Sequence, residues 1–290
     1  MYLAELSVAS RNSAIKSYLR FCLAYGHAPC IEGVGISDHV LAAYAIFLAL
    51  SGNHKSIQAY LSTGCKYICE SYGGEWLTLS QRAATYRTVR ALDRMYGTPP
   101  KRKHPITLVM LNKLALVMAN TEDPVVATLY ACILLAFFGF LRKSTYTVKK
   151  ISDFDPIKHL SVKKISQVEG RYMITITHTK TIQLADRHLE IWLPRLNNDI
   201  CPCRALDRMF ALRRAKWGAI SDDAPLFVTS KLNAPLTSQR FESELKDRLR
   251  ACGVDVTYIT PHSLRRGGTT FAFESGCSKA CIKNARGLAV

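Results

Sequence analysis

The residues most able to do chemistry lie in a short basic string near the end of the sequence, PHSLRRGG at positions 261–268. Its His262 and Arg265 are three residues apart. If the string begins a helix, the two side chains share one face, close to the N–H groups of the helix start. An imidazole beside a guanidinium there binds a phosphate oxyanion. The spacing alone is weak evidence, because a solvated surface His and Arg would show it too.

Two further cations occupy positions that favour an anionic ligand. Arg142 directly follows Val125–Leu141, 17 residues without a charge, where an unpaired guanidinium is costly to bury. Lys180 stands between two threonines after an alternating stretch, where an ammonium can reach into a cleft. An arginine placed like Arg142 usually pairs with a bound anion or with a carboxylate of the protein, so these residues alone leave both partners open.

The overall charge points to a polyanionic partner. The 290 residues include 39 Lys and Arg against 22 Asp and Glu, a net charge of +17. Residues 99–290 hold 30 of the basic and 16 of the acidic residues, so most of the excess lies there. Nucleic acid is the commonest such partner, and an anionic membrane surface or no partner at all are the alternatives. With 48% hydrophobic residues the chain can bury a core, which excludes a disordered tail or a disulfide-stapled miniprotein.

The elements that must position these residues fall into two halves. Residues 1–98 predict four short amphipathic helices packed as a bundle, at about 10–25, 37–51, 55–71 and 80–96, with Ser10, Ser37 and Ser80 as N-caps. Residues 99–105 form a basic, proline-rich stretch that cannot continue a helix, so the domain boundary is placed there. This stretch contains a basic cluster, Lys101, Arg102 and Lys103. The cluster fits a nuclear localisation signal, a linker that lies along phosphates, or a solvated linker.

The second half, residues 106–290, changes hydrophobic period midway. Helices are predicted at 107–118, up to Arg142, at 203–217, at 238–252 and from 261 onwards. Residues 160–168, 171–179 and 188–193 alternate or favour β-branched side chains, which predicts a small antiparallel three-stranded sheet. The predicted fold is therefore an all-α first domain and a mainly helical α+β second domain.

Cysteine usage and the apolar stretch leave two alternatives open. The first residues lack a signal-peptide pattern, so the ten cysteines predict reduced thiols in an intracellular protein. Cys201 and Cys203 suggest zinc, but no second Cys/His pair follows at a finger-like spacing. Val125–Leu141 reaches the short limit of a membrane span, although a buried helix leading into Arg142 fits better.

The order of these motifs resembles the tyrosine recombinase, or phage-integrase, superfamily. Residues 139–144 (GFLRKS) with 151–153 (ISD) are similar to its first arginine box. Residues 226–228, 236–237 and 261–269 are similar to its second box, and 223–276 are most similar to eukaryotic, Crypton-like members. The resemblance implies a SAM-like helical core-binding domain over 1–98, a linker over 99–105 and a catalytic domain over 106–290.

The resemblance also implies a role for each cation. Arg142 and Arg265 would clamp the nonbridging oxygens of a phosphodiester, where charge builds up in the transition state. Lys180 would protonate the leaving 5′ oxygen, and His262 would assist proton movement at the nucleophile. These cations would take the place of a metal, so neither metal nor cofactor is expected. Further DNA contacts are implied for five basic residues: Lys101, Arg102, Lys103, Lys143 and Arg266.

The sequence departs from the family pattern in two places. Family members carry a nucleophilic tyrosine after the second box, which forms a 3′-phosphotyrosyl link. Here the last tyrosine is Tyr258, before His262, so the nucleophile is missing. Thr145 stands where the family usually has an acidic residue, which questions how Arg142 is oriented.

Several explanations of the missing tyrosine stay open. The chain would be a C-terminally truncated recombinase unable to cleave, a non-catalytic DNA-binding remnant of a mobile element, or a protein that takes its tyrosine in trans. Cys277, Ser278 and Cys281 are other conceivable nucleophiles, although ordinary helix-face residues fit them better. Whether the chain is an enzyme is thus left open.

The expected partner is duplex DNA, bound for recombination or integration, with assembly of several copies on the DNA and no membrane association. A nuclear location is expected if the host is eukaryotic.

Overall fold

The computed structural model describes residues 5–97, 103–178, 188–230 and 234–281. Its Cα positions divide into two compact units, Met1–Pro100 and Lys101–Val290, and each unit has its own hydrophobic core. Most of the predicted linker, residues 99–102, lies outside the described residues.

The first unit is helical, as predicted. Its helices are α1 (Glu5–Tyr25), α2 (Asp38–Leu50), α3 (Ile57–Tyr60), α4 (Lys66–Ser71) and α5 (Ala83–Tyr96). Residues 61–65 form a π-helical turn between α3 and α4, so the helix predicted over 55–71 is interrupted there. Tyr18, Phe21 and Tyr44 form the aromatic centre of this core, with ring centroids 5.0–6.2 Å apart.

Of the three predicted N-caps, Ser37 is confirmed and the other two are wrong. The amide of Val40 donates to Ser37 Oγ at 3.3 Å. Ser10 lies inside α1, which begins five residues earlier. Ser80 lies in a 3₁₀ turn over 79–81, where the Thr78 amide donates to Gln81 Oε1 at 2.9 Å. This Thr-x-x-Gln pair starts the turn ahead of Ser80.

The start of α5 is capped by a carboxylate from another helix. Asp38, the first residue of α2, accepts hydrogen bonds from the amides of Ala84 (2.8 Å) and Thr85 (2.9 Å). Loss of solvent raises the pKa of this carboxyl, but the hydrogen bonds from Thr85 and Ala84 outweigh it, and the pKa lies below the ordinary Asp value. Asp38 therefore joins α2 to α5, which pack together in the core.

We expect Asp38→Ala to lower the free energy of unfolding of the first unit by about 1 kcal/mol at pH 7, because two amides lose their cap. The ionised carboxylate binds better in the folded state, so its contribution is complete above the ordinary Asp pKa of about 3.9 and is lost as pH falls through the lower folded value. Urea unfolding at several pH values between 7 and 2 measures the difference in free energy of unfolding between the wild type and Asp38→Ala. Exposed Glu32→Ala is the control, and a loss that persists unchanged at pH 2 would contradict the assignment.

The second unit contains six helices and a sheet in its described part. The helices are α6 (Leu108–Met118), α7 (Pro124–Phe138), α8 (Lys143–Tyr146), α9 (Pro202–Trp217), α10 (Ser238–Ala251) and α11 (Pro261–Glu274). The strands are β1 (Ile165–Val168), β2 (Arg171–Ile176) and β3 (Leu189–Trp192), antiparallel in the order β1-β2-β3. Ile174 pairs with Ile165 and with Ile191, so the buried face is set by alternation, as the sequence predicted.

Helix α7 forms the centre of the second core. Its residues 127–137 are all buried, so the apolar stretch before Arg142 packs against protein on every side. Within the described ranges, no helix is long and apolar enough to span a bilayer.

All ten cysteines lie in the described residues and are free thiols. Burial raises the pKa of Cys65 and Cys132, which makes both thiols unreactive. Cys203 donates to the Pro194 carbonyl at 3.4 Å and Cys201 accepts from the Leu196 amide at 3.2 Å. In the part of the chain described, no group of three or more His, Cys, Asp or Glu is arranged to hold a metal ion.

Candidate phosphate-binding site

Arg142 leaves the buried helix through a sharp reversal of the backbone. Gly139 ends α7, and Phe140 follows with a φ of 50°, in the left-handed region that costs a non-glycine residue about 1–2 kcal/mol. Leu141 returns to the core, and its amide donates to Ala136 O at 3.1 Å. Arg142 is half-buried and lies in extended conformation directly before α8. The reversal thus carries the guanidinium out of the core at a defined point.

Helix α11 begins at the predicted position and carries both residues of the basic string. Pro261 occupies its first position, and the Thr260 amide donates to Ser263 Oγ at 3.1 Å. His262 is exposed on the first turn, whereas Arg265, one turn further on, is only 4% exposed. The alternative of a solvated His and Arg pair is therefore excluded for Arg265.

A partly buried hydrogen bond joins the two predicted arginine segments. Arg265 Nη1 donates to the carbonyl oxygen of Phe140, 125 residues away in the sequence. This carbonyl lies two residues before Arg142, so the turn of α11 that carries His262 and Arg265 is fixed to the segment that presents Arg142. The folded second unit thus brings these three predicted site residues into one region.

Two adjacent glycines allow this approach. A Cβ at Gly268 would overlap the carbonyl oxygen of Phe137 at the end of α7, and one at Gly267 would overlap the carbonyl oxygen of Ile106. Both glycines are buried inside α11, where glycine is normally unfavourable. Their presence follows from close backbone contact on two sides of the helix.

Helix α8 is held by α10 rather than by a carboxylate. Thr145, at the position where an acidic residue was expected, is 8% exposed, and its amide donates to the Arg142 carbonyl at 2.8 Å. Thr147 and Ser238 share a hydroxyl hydrogen bond of 2.7 Å. The amide of Ser238 donates to Val148 O at 2.7 Å. No motif or spacing indicated these contacts, which fix the segment following Arg142.

Lys180 lies outside the described residues, and the residues after β2 are described up to His178. Lys164 is 8% exposed, and its ammonium donates to the Ile157 carbonyl and to Thr177 Oγ1, the latter at 2.9 Å. The Thr177 hydroxyl also donates to Ile157 O at 3.0 Å. Burial lowers the pKa of Lys164. Sequence analysis missed this buried lysine because its partners are local carbonyl and hydroxyl groups without a recognisable motif.

The residues predicted as additional DNA contacts are placed differently. Lys143 is exposed at the start of α8, and within the described ranges it has no carboxylate within 4.0 Å. Arg266 is exposed, and its guanidinium donates to the carbonyl of Lys103. Lys101 and Arg102 lie outside the described residues.

This fold matches solved integrase structures over nearly the whole chain. A lambda integrase tetramer bound to a Holliday junction aligns at 17% identity with a TM-score of 0.57, covering 100% of this chain and 73% of that one. A lambda integrase dimer bound to a core site aligns with a TM-score of 0.55 at 17% identity, covering 99% of this chain and 86% of that one. The Tn1549 transposon integrase in complex with transposon right-end DNA aligns with a TM-score of 0.55 at 15% identity, covering 98% of this chain and 86% of that one.

These neighbours are tyrosine recombinases, and the chain has the fold of that class. Its helical first unit and its mainly helical second unit with one small sheet follow the layout that the motif order predicted. No protein-family model matches the sequence, and no curated protein matches it.

The two arginines should differ in their effect on stability. Arg265→Gln should lower the free energy of unfolding by about 1–3 kcal/mol, because the shorter side chain no longer reaches the partly buried Phe140 carbonyl. Arg142→Gln should change it by less than about 0.5 kcal/mol, since within the described residues its guanidinium has no hydrogen bond or ion pair. Thermal unfolding measures both, and equal losses would contradict this.

Proposed function

We propose that the chain binds duplex DNA in the manner of a tyrosine recombinase, with a backbone phosphate between the two arginine segments. The hydrogen bond from Arg265 to Phe140 carries this proposal, because it ties the helix bearing His262 and Arg265 to the segment that presents Arg142. A guanidinium has five N–H donors, so Arg265 can hold the carbonyl and a phosphate oxygen together. The neighbours named above, a Holliday-junction complex and two other DNA complexes, support DNA as the partner.

In this proposal each residue has a defined role. Arg142 and Arg265 contact the nonbridging oxygens, whose negative charge increases during in-line displacement. His262, exposed one turn before Arg265, donates to a phosphate oxygen. Lys180 supplies the proton for a departing 5′ oxygen. Lys143, exposed next to Arg142, contacts a neighbouring phosphate.

The first unit supports DNA binding through an arginine stripe on α5. Arg87, Arg90 and Arg94 follow the helical repeat and are all exposed, opposite a buried face formed by Val89 and Leu92. Among the described residues, no carboxylate lies within 4.0 Å of these three guanidiniums. A row of guanidiniums on a rigid helix suits the regularly spaced phosphates of a duplex. We assign this unit the role of a core-binding domain.

Changing Arg87, Arg90 and Arg94 together to Gln should weaken duplex binding and flatten the plot of log K against log salt. Three lost phosphate contacts correspond to a slope smaller by roughly 2.7, and Arg142→Gln to roughly 0.9. Fluorescence anisotropy with a duplex across a series of salt concentrations measures both.

The matched control removes the same total charge from another helix. Arg240, Arg248 and Arg250 on α10 are each paired with a carboxylate, at 2.6, 3.8 and 2.7 Å. Their change to Gln should leave the slope unchanged. An equal effect of the two triple variants would mean that only net charge matters.

A second candidate function is DNA binding without cleavage, and a specific observation favours it. Tyr258, the tyrosine nearest to His262 in the sequence, lies before α11, and its ring packs against His104 with centroids 5.1 Å apart. Incubation with a nicked suicide substrate separates the two functions. We expect bound DNA without a covalent adduct, and a trapped protein–DNA adduct would instead establish a strand transferase.

The resemblance to tyrosine recombinases extends the proposal to the biological role. We propose that the chain acts in DNA recombination or integration, that it originates from a mobile element, and that several copies assemble on the DNA. Its proposed location is intracellular, and nuclear if the host is eukaryotic.

A further inference from the structure

Residues 103–106, the entry segment, lie against the beginning of α11. The Ile106 amide donates to the Ser263 carbonyl at 3.0 Å, and the His104 amide donates to the Tyr258 carbonyl at 3.0 Å. The guanidinium of Arg266 donates to the carbonyl of Lys103. Ile106 is completely buried. The first residues of the second unit described after the gap at 98–102 are thus fastened to the helix that carries the phosphate site.

Helix α11 is held on two sides by the same combination of contacts. On one side Arg265 binds the Phe140 carbonyl, and Gly268 lies against the Phe137 carbonyl. On the other side Arg266 binds the Lys103 carbonyl, and Gly267 lies against the Ile106 carbonyl. Each side uses one guanidinium as a donor and one glycine for close approach.

We propose that Arg266 is a positioning residue that clamps the entry segment to α11, and that it is not a phosphate ligand. This inference rests on the proposed function, because the turn it holds carries His262 and Arg265. It reassigns a residue that the family resemblance implies as a DNA contact. The physical reason is direction: the guanidinium of Arg266 is turned to Lys103, on a different side of α11 from the Phe140 carbonyl that Arg265 binds.

The clamp acts through the backbone of the entry segment. If the bond from Arg266 is lost, the backbone hydrogen bonds of the His104 and Ile106 amides and the packing of the buried Ile106 remain. The beginning of α11, which carries His262 and Arg265, then loses a side-chain support on its Lys103 side. The role requires an N–H donor at position 266 that reaches the Lys103 carbonyl.

Arg266→Lys and Arg266→Met test the clamp with side chains that are closer in length to arginine than glutamine is. Lysine keeps an N–H donor, whereas methionine has none. In the full chain without DNA, we expect hydrogen exchange at the Ile106 amide to be about tenfold faster in Arg266→Met, the factor for one charge-assisted hydrogen bond, and closer to wild type in Arg266→Lys. Wild-type protection in Arg266→Met would overturn the proposal.

A second experiment measures the salt dependence of duplex binding for the same two variants and compares it with that of Lys143→Gln. Both Arg266 variants should keep the wild-type slope of log K against log salt, while Lys143→Gln should flatten it by roughly 0.9. A slope flattened by Arg266→Met as much as by Lys143→Gln would overturn the proposal and make Arg266 a phosphate ligand. If the protein fails to bind DNA at all, the proposed function fails, and the exchange result still decides the clamp.

Gly267→Ala tests the entry segment independently of Arg266. A Cβ at this position overlaps the Ile106 carbonyl, so the segment must move away from α11. We expect faster exchange at Ile106 and His104 with unchanged charge and an unchanged salt slope. Should this variant fail to fold, the two Arg266 variants remain a complete test.

Discussion

The site depends on one partly buried hydrogen bond between a guanidinium and a carbonyl. Arg265 is buried and Phe140 is half-buried where α11 packs against the end of α7, and the guanidinium donates to the carbonyl. A carbonyl at the end of a helix otherwise requires a cap or water, and a buried guanidinium otherwise requires an anion. Because the two needs are met together, the arginine is held in place before any ligand arrives. Preorganised charge of this kind stabilises a developing oxyanion without further rearrangement.

The same helix also receives the chain as it enters the second unit. Arg265 and Arg266 are neighbours in sequence but point to different partners, the end of α7 and the entry segment. One turn of α11 therefore links three distant stretches of chain, around residues 104, 140 and 265. Placing the candidate chemistry on such a junction gives the exposed His262 a rigid base, although it lies only one residue into its helix.

Contacts that follow local rules were predictable, and contacts between distant residues were not. The helix at His262 and Arg265, the sheet over β1–β3 and the buried helix before Arg142 all follow from hydrophobic period and helix-start signals. Ser80 was misassigned because a competing Thr-x-x-Gln pair lies just before it. The Asp38 cap on α5 and the Lys164 contact with Thr177 involve polar residues whose partners only the fold brings near. Even the burial of Arg265 could not be read from its spacing to His262.

The paired glycines of α11 have a consequence for how such chains diverge. Most core positions accept a different hydrophobic side chain of similar volume, whereas a methyl group at either glycine meets a backbone oxygen that cannot be trimmed by a compensating change. Sequence drift around this helix is therefore constrained most where no functional group is present. A search pattern for remote relatives should weight Gly267 and Gly268 as heavily as the charged residues beside them.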